Sequence, residues 1–294
     1  MNFDGLVFPA PSPSYTYDEF ENSLFFAPKC KIVKNMTQFD YPDISEEGIA
    51  HIPCFYKAWA SGAPKLILYF HGNAEDLGRA EDFLLGLYNE LFLHVVAMEY
   101  PGYGIYSGSP NEQTICNDAL NVYDYITQVL GWKEQDVILF GRSIGTGPAT
   151  HVASLRNPGM LVLMSAFTSI KDVVKHNACM LSFMVAERFR NIDKIPKVSC
   201  PKIFLHGAKD ELVPPVLAEQ LFNESKLPKK LYYGEEMTHN DFNMWYDLVV
   251  PLSEYWEELV FVTQDASKNI KFRVKDTELP EEYKNKFKHW SCSI

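Results

Sequence analysis

Short apolar runs limit what this chain can fold into. Leu66–Phe70, His94–Met98, Val137–Phe140, Leu161–Met164 and Ile203–Leu205 are nearly free of the alternation seen in half-exposed strands. Continuous runs of this kind are strands covered on both faces. Between them lie stretches with apolar residues at helical spacing, such as Leu77, Phe83, Leu84, Leu87 and Leu91, and a helix over about Asn111 to Leu130. Strands that alternate with helices make βαβ units, so the sequence predicts an α/β fold with a mostly parallel central sheet flanked by helices.

Around this frame the chain divides into three parts. Residues 1–28, with Pro9-Ala10-Pro11-Ser12-Pro13, read as an extended N-terminal arm. Residues 29–262 read as one domain, within the size range of single α/β domains. It opens with two strands, Lys29–Met36 and Gly48–Trp59, and closes with a strand at Leu231–Tyr233 and a helix over Asp241–Val262. Residues 263–294 read as a C-terminal extension. It carries seven Lys/Arg against five Asp/Glu, where the rest of the chain carries 20 against 33. Ile270, Phe272 and Val274 alternate as in a short edge strand. Tyr283, Phe287 and Trp290 share a face of a helix starting near Pro280, which suits a membrane surface or docking onto the domain.

Charge and cysteine content narrow the setting. A net charge of −11 excludes the basic face that nucleic-acid binding needs. Cysteines 30, 54, 116, 179, 200 and 292 show no C-x-x-C pair, as expected of reduced thiols in a cytoplasmic protein. The N-terminus shows no secretory signal, so the sequons at Asn35 and Asn223 carry no weight. No apolar run reaches the ~20 residues of a spanning helix. No metal-ligand spacing or phosphate-binding glycine loop is present, and no cofactor is expected.

In an open α/β sheet the chemistry gathers at the carboxyl ends of the strands. After Val137–Phe140 comes Gly141-Arg142-Ser143-Ile144-Gly145, a Gly-x-Ser-x-Gly pattern running from strand into helix. That context holds a serine on a sharp strained turn with its oxygen exposed. A serine hydroxyl needs a base, itself oriented by a third group. In the chain order serine, acid, histidine, only His239 and His289 lie far enough downstream. His239 directly follows the Leu231–Tyr233 strand and is preferred. Asp210, after the Ile203–Leu205 strand, is the matching acid, with Glu211 as runner-up and Asp172 and Asp193 weaker. For the oxyanion, one donor is the N–H of Ile144. The other lies in the loop after Leu66–Phe70, at Asn73 or alternatively Ala74. His71 and His206 read as structural histidines, and Gly102-Tyr103-Gly104 as a turn bordering the site.

These pieces resemble the α/β-hydrolase superfamily, and within it the α/β-hydrolase domain-containing protein 17 group with its serine aminopeptidase-like relatives. The similar segments are Phe70-His71-Gly72-Asn73-Ala74-Glu75-Asp76-Leu77-Gly78, Tyr100-Pro101-Gly102-Tyr103-Gly104, Gly141 to Gly147, Ile192 to Val198, His206 to Asp210, His239-Asn240-Asp241, and the arm from Leu6 to Thr16. The resemblance implies an α/β-hydrolase fold and hydrolysis of acyl esters or thioesters, including removal of palmitate from protein cysteines. It also implies a small cap, formed by the insertion at about 167–200, whose middle contains Met180-Leu181-Ser182-Phe183-Met184-Val185. The group begins with a cysteine-rich, lipid-modified segment. Here the first cysteine is Cys30, so that route to a membrane is not expected. Thr238 stands where a small residue is usual and Glu99 where an aspartate is usual.

The sequence thus predicts a serine hydrolase acting through an acyl-enzyme on an acylated small molecule or protein. An aminopeptidase or small-ester esterase is the rival activity. A non-catalytic hydrolase-fold binding protein is the rival of another class.

Overall fold

The computed structural model describes residues 7–20, 23–29, 51–59, 63–177 and 185–262. Eight strands form one sheet: β1 (Leu24–Pro28), β2 (His51–Lys57), β3 (Leu66–Phe70), β4 (His94–Met98), β5 (Val137–Arg142), β6 (Met160–Met164), β7 (Lys202–Gly207) and β8 (Lys229–Gly234). Their order is β1-β2-β4-β3-β5-β6-β7-β8. β2 runs antiparallel to β1 and β4, and every pairing from β4 through β8 is parallel.

Every residue of β3, β4 and β6 is buried, as continuous apolar runs require. Alternate side chains serve two cores. Leu66, Leu68, Phe70, Val137 and Leu139 enter one, while Ile67, Tyr69, Ile138 and Phe140 enter the other. The first core is closed by α3 (Glu112–Asp124), α4 (Thr146–Leu155) and α7 (Pro215–Glu224), through Ile115, Val122, Val152, Leu217 and Leu221. The second is closed by α2 (Leu77–Leu91) and α8 (Val250–Val262), through Leu84, Leu87, Leu252 and Tyr255. Burial on both faces supplies the dominant stabilisation of such a sheet.

Several element boundaries differ from expectation. A four-residue helix, α1 (Tyr17–Phe20), and strand β1 both lie inside the stretch expected to be an extended arm. Phe25 and Ala27 pack into the first core, and Pro28 ends the strand where its missing N–H costs least. The strand expected at Lys29–Met36 lies outside the described residues, apart from Lys29. The closing helical stretch begins at Met244 rather than Asp241, with a π-helical segment, Met244–Val249, that runs into α8. It starts there because the Asn243 side chain accepts from the N–H groups of Trp245 and Tyr246 and so caps it. Within the insertion expected at about 167–200, α5 (Ile170–Asn177) and α6 (Asn191–Lys194) are described. The run Met180–Met184, the tail from 263 onward, Cys30, Cys179, Cys292 and His289 lie outside the described residues. Among the described residues no helix is long and apolar enough to cross a membrane.

His94 opens β4 fully buried, with Trp59 N–H facing its Nδ1 at 3.3 Å and Ala63 N–H facing its Nε2 at 3.2 Å. Burial pushes it down to about 4, against a smaller opposing effect from Ala63. An unfolded histidine takes its proton near pH 6.5, whereas the folded one stays neutral to about 4. Folding stability is therefore complete above pH 6.5 and declines as pH falls towards 4. Urea unfolding across that window will show a loss on the order of 3 kcal/mol from this group. His94→Phe will make the decline shallower, leaving the part from His151, which burial also pushes down to about 4, and an identical pH slope in the variant contradicts the assignment.

Candidate active site

In the register of β3 against β5, Phe70 pairs with Gly141, so the turns after the two strands leave the sheet side by side. Chain β5 passes into a single 3-10 turn, Ser143–Gly145, and then α4. Ser143 sits there at φ 53°, in the left-handed region that a residue with a Cβ enters only at a cost. A Cβ on Gly145 would strike the Phe70 carbonyl, and one on Gly141 would strike the Gly145 carbonyl. The two glycines are thus what let strand, turn and helix approach. Thr146 Oγ1 donates to the Ser143 carbonyl at 2.7 Å and braces the turn.

Two other strand ends meet this serine. Asp210 follows β7 and His239 follows β8, strands that pair with each other up to Gly207 and Gly234. His239 Nε2 lies 3.0 Å from Ser143 Oγ, and its Nδ1 lies 2.9 Å from Asp210 Oδ2. A carboxylate only accepts, so Nδ1 carries the proton and Nε2 is left to accept from the serine hydroxyl. Asp210 Oδ1 accepts from the Leu212 and Val213 N–H groups at 3.0 and 2.8 Å. The Asp210 side chain is fully buried and that of His239 is 11% exposed. Burial pushes the Asp210 carboxyl up, but the His239 bond and charge, the Val213 N–H and the His206 charge outweigh it and hold it below the ordinary value.

The remaining candidates fall elsewhere. Glu211 is exposed, and the ring of His239 bonds Asp210 instead. Asp172 accepts from Thr168 and Ser169, and Asp193 pairs with Arg190. His206 donates Nε2–H to the Val213 carbonyl at 2.8 Å, which shapes the loop that carries Asp210. Burial lowers its pKa. The Gly102-Tyr103-Gly104 turn borders the site, where Tyr103 donates to the Asn73 side chain at 2.9 Å.

On the oxyanion side, Ile144 is the second residue of the 3-10 turn, where no preceding carbonyl is in place to take its N–H. In the loop after β3, Gly72 N–H donates to Glu75 Oε1 at 2.5 Å. The Asn73 and Ala74 N–H groups meet no protein acceptor among the described residues, and Ala74 turns the chain at φ 58°. The Asn73 side chain donates to the Val7 carbonyl at 2.7 Å, which docks the N-terminal segment.

No family model matches the chain. Individual relatives do. Over 219 residues it is 30% identical to α/β-hydrolase domain-containing protein 17B of Xenopus tropicalis, covering 73% of this chain and 72% of that protein. The human 17B protein matches at the same identity and coverage. This chain belongs to the α/β-hydrolase domain-containing protein 17 family. A further relative, the α/β-hydrolase domain-containing protein aho-3 of Caenorhabditis elegans, is 30% identical over 71% of this chain and 63% of its own length. Family membership places the protein among the hydrolases. Its fold is shared with mouse α/β-hydrolase domain-containing protein 10 (TM-score 0.55, 16% identity, 74% of this chain and 98% of that one). It is shared also with the esterase Est1E of Butyrivibrio proteoclasticus (TM-score 0.57, 17% identity, 74% and 98%).

Two residues of this family member escaped the sequence reading. Arg142, between Gly141 and Ser143, pairs with Glu75 at 3.3 Å. It also donates to the His239 carbonyl at 3.2 Å and to Asn240 Oδ1 at 3.0 Å. One guanidinium therefore ties the turn of Ser143 to the loop after β3 and to the loop of His239. The one available signal was its position beside the serine. Arg142→Met will release the His239 loop. Hydrogen exchange will quicken at the Thr238 and Asp241 amides, which bond only across that loop, while β5 amides keep their protection. Unchanged exchange at those two amides contradicts the tie.

Proposed function

We propose that the protein is a serine hydrolase that cleaves acyl esters or thioesters through an acyl-enzyme. The unbroken hydrogen-bonded line from Ser143 Oγ through His239 to Asp210 carries this reading. As Ser143 Oγ attacks the acyl carbonyl, His239 Nε2 takes its proton. Asp210 holds the ring in the tautomer that leaves Nε2 free and stabilises the charge that develops on it. The carbonyl oxygen becomes an oxyanion between the N–H groups of Ile144 and Asn73. Each such donor is worth roughly 10²–10³ in turnover. His239 then gives its proton to the departing alcohol or thiol. A water, deprotonated by the same nitrogen, attacks the acyl carbon and restores Ser143 while the carboxylic acid departs.

The loop geometry supports Asn73 over Ala74 as the second donor. The Gly72–Asn73 peptide lies one residue, His71, beyond the end of β3, which abuts the Ser143 turn, whereas exposed Ala74 lies further out. On substrate class, the proposal takes acyl esters and thioesters, with palmitoyl groups on protein cysteines among them. That is the activity the family resemblance implies.

A fluorophosphonate probe will label the wild-type protein and leave Ser143→Ala unlabelled; equal labelling of both removes the nucleophile. Asp210→Asn will lower kcat by about 10⁴ while the fold is kept, the consequence of the wrong histidine tautomer. If Glu211→Gln does the damage instead, the acid is misassigned. A panel of acyl esters and thioesters of graded length, set against an amino-terminal amide, will show turnover of the first two. Preference for the amide contradicts the substrate class, and no turnover of any by a well-folded protein favours a binding role.

A further inference from the structure

His71, the first residue after β3, is fully buried, and both of its ring nitrogens face acceptors. Nδ1 lies 2.9 Å from the carbonyl of Gly72, and Nε2 lies 3.1 Å from Glu99 Oε1. A carbonyl never donates, so Nδ1 carries a proton. Glu99 is itself surrounded by donors. Its Oε1 also accepts from Tyr100 N–H at 3.0 Å, and its Oε2 accepts from Leu77 N–H at 3.0 Å and Tyr15 O–H at 2.9 Å. Leu77 is the first residue of the fifteen-residue helix α2, whose positive end favours an anion there. With donors already directed at both of its oxygens, Glu99 meets Nε2 as an acceptor, so Nε2 also carries a proton.

We propose that His71 is a positioning residue that stands as an imidazolium paired with Glu99 and aims the Gly72–Asn73 peptide at the oxyanion. The carbonyl that Nδ1 holds belongs to the same peptide unit as the Asn73 N–H. Fixing that oxygen fixes the direction of the N–H, and a cationic donor on the oxygen makes the N–H more polar. The neighbouring peptide is fixed as well: Tyr100 O–H donates to the His71 carbonyl at 2.8 Å, and Gly72 N–H is held by Glu75. Tyr100 stacks on the imidazole at 3.8 Å between centroids, an arrangement that favours a cationic ring. The titratable and charged groups around the ring are Glu75 and Asp76 in its own loop, Glu99, Tyr100 and Tyr103 at and after the end of β4, and Tyr15 from the N-terminal segment. Arg142 stands behind Glu75. Burial alone drives this histidine towards its neutral form, but the bond and charge of Glu99, the Glu75 charge and the Gly72 carbonyl raise it above the ordinary value.

The charge of His71 is independent of the catalytic reading; its effect on turnover rests on that reading. In full-length protein carrying ¹⁵N-histidine, at pH 8, His71 will show protons on both ring nitrogens, the signals being assigned by their loss in His71→Gln. A single ring proton on His71 overturns the proposal, whether or not any variant folds. Glu99→Gln keeps an acceptor near Nε2 but removes the charge. The second ring proton will be lost, and kcat on a soluble acyl ester will fall on the order of 10-fold with KM nearly unchanged, less than the loss of a whole oxyanion donor. Glu99→Asp, which keeps the charge, will recover part of that kcat. Loss of the ring proton with wild-type kcat overturns the positioning role. Ser143→Ala, assayed alongside, separates the two claims: if it turns over ester like the wild type, the serine reading fails and the ring-proton result stands by itself.

Discussion

Gly145 lies against the Phe70 and His71 carbonyls with no space for a side chain, and that contact governs the rest of the site. It seats the Ser143 turn directly on the end of β3. The strained φ of Ser143 is held from both sides, by β5 before it and α4 after it. Because the turn abuts β3, the loop leaving β3 passes beside the serine. β7 and β8 then deliver Asp210 and His239 from the far half of the sheet. No single side chain makes the site; the packing of four strand ends, those of β3, β5, β7 and β8, does.

The N-terminal segment belongs to this arrangement. Phe8 enters the core on one face of the sheet, edge-on to Phe189 at 6.1 Å, and Tyr15 enters the core on the other. Around them the segment bonds the loop after β3 repeatedly, through Val7 to Asn73 and Ser14 to Asp76. Tyr15 reaches Glu99 in the same way. Gly78 and Gly104 make room for it, since a Cβ at either position would strike Ser14, Tyr15 or Glu99. A stretch that composition marks as an irregular arm is thereby a fixed wall of the hydrolase.

Much of this was legible in the sequence, for a physical reason. Strands covered on both faces cannot alternate, so Leu66–Phe70 and Val137–Phe140 stand out, and a loop after each such strand is a place to look for Ser143 and Asp210. His239 follows β8, which is only half-buried and marked less clearly. What stayed hidden depends on tertiary adjacency. Leu24–Pro28 is short and ends in proline, so nothing local marks it as a strand until β2 lies beside it. The start of the last helix turned on one side chain, Asn243. Arg142, Glu75 and Glu99 act by bridging loops 60 or more residues apart, or by holding a residue 28 positions away, and no spacing rule records such bridges. Glu99 did register as a departure from the usual aspartate. Its consequence became visible only once Tyr15, Leu77, Tyr100 and His71 were seen around its carboxylate.

The central claim is that acyl groups pass through a covalent bond to Ser143. Rapid acid quench of the protein mixed with an activated acyl ester, followed by peptide mass spectrometry, tests it most directly. The account predicts the mass of the acyl group on the peptide containing Ser143 and on no other, with its amount decaying as product appears. Turnover with no adduct on that peptide, or an adduct on a different residue that decays in its place, contradicts it.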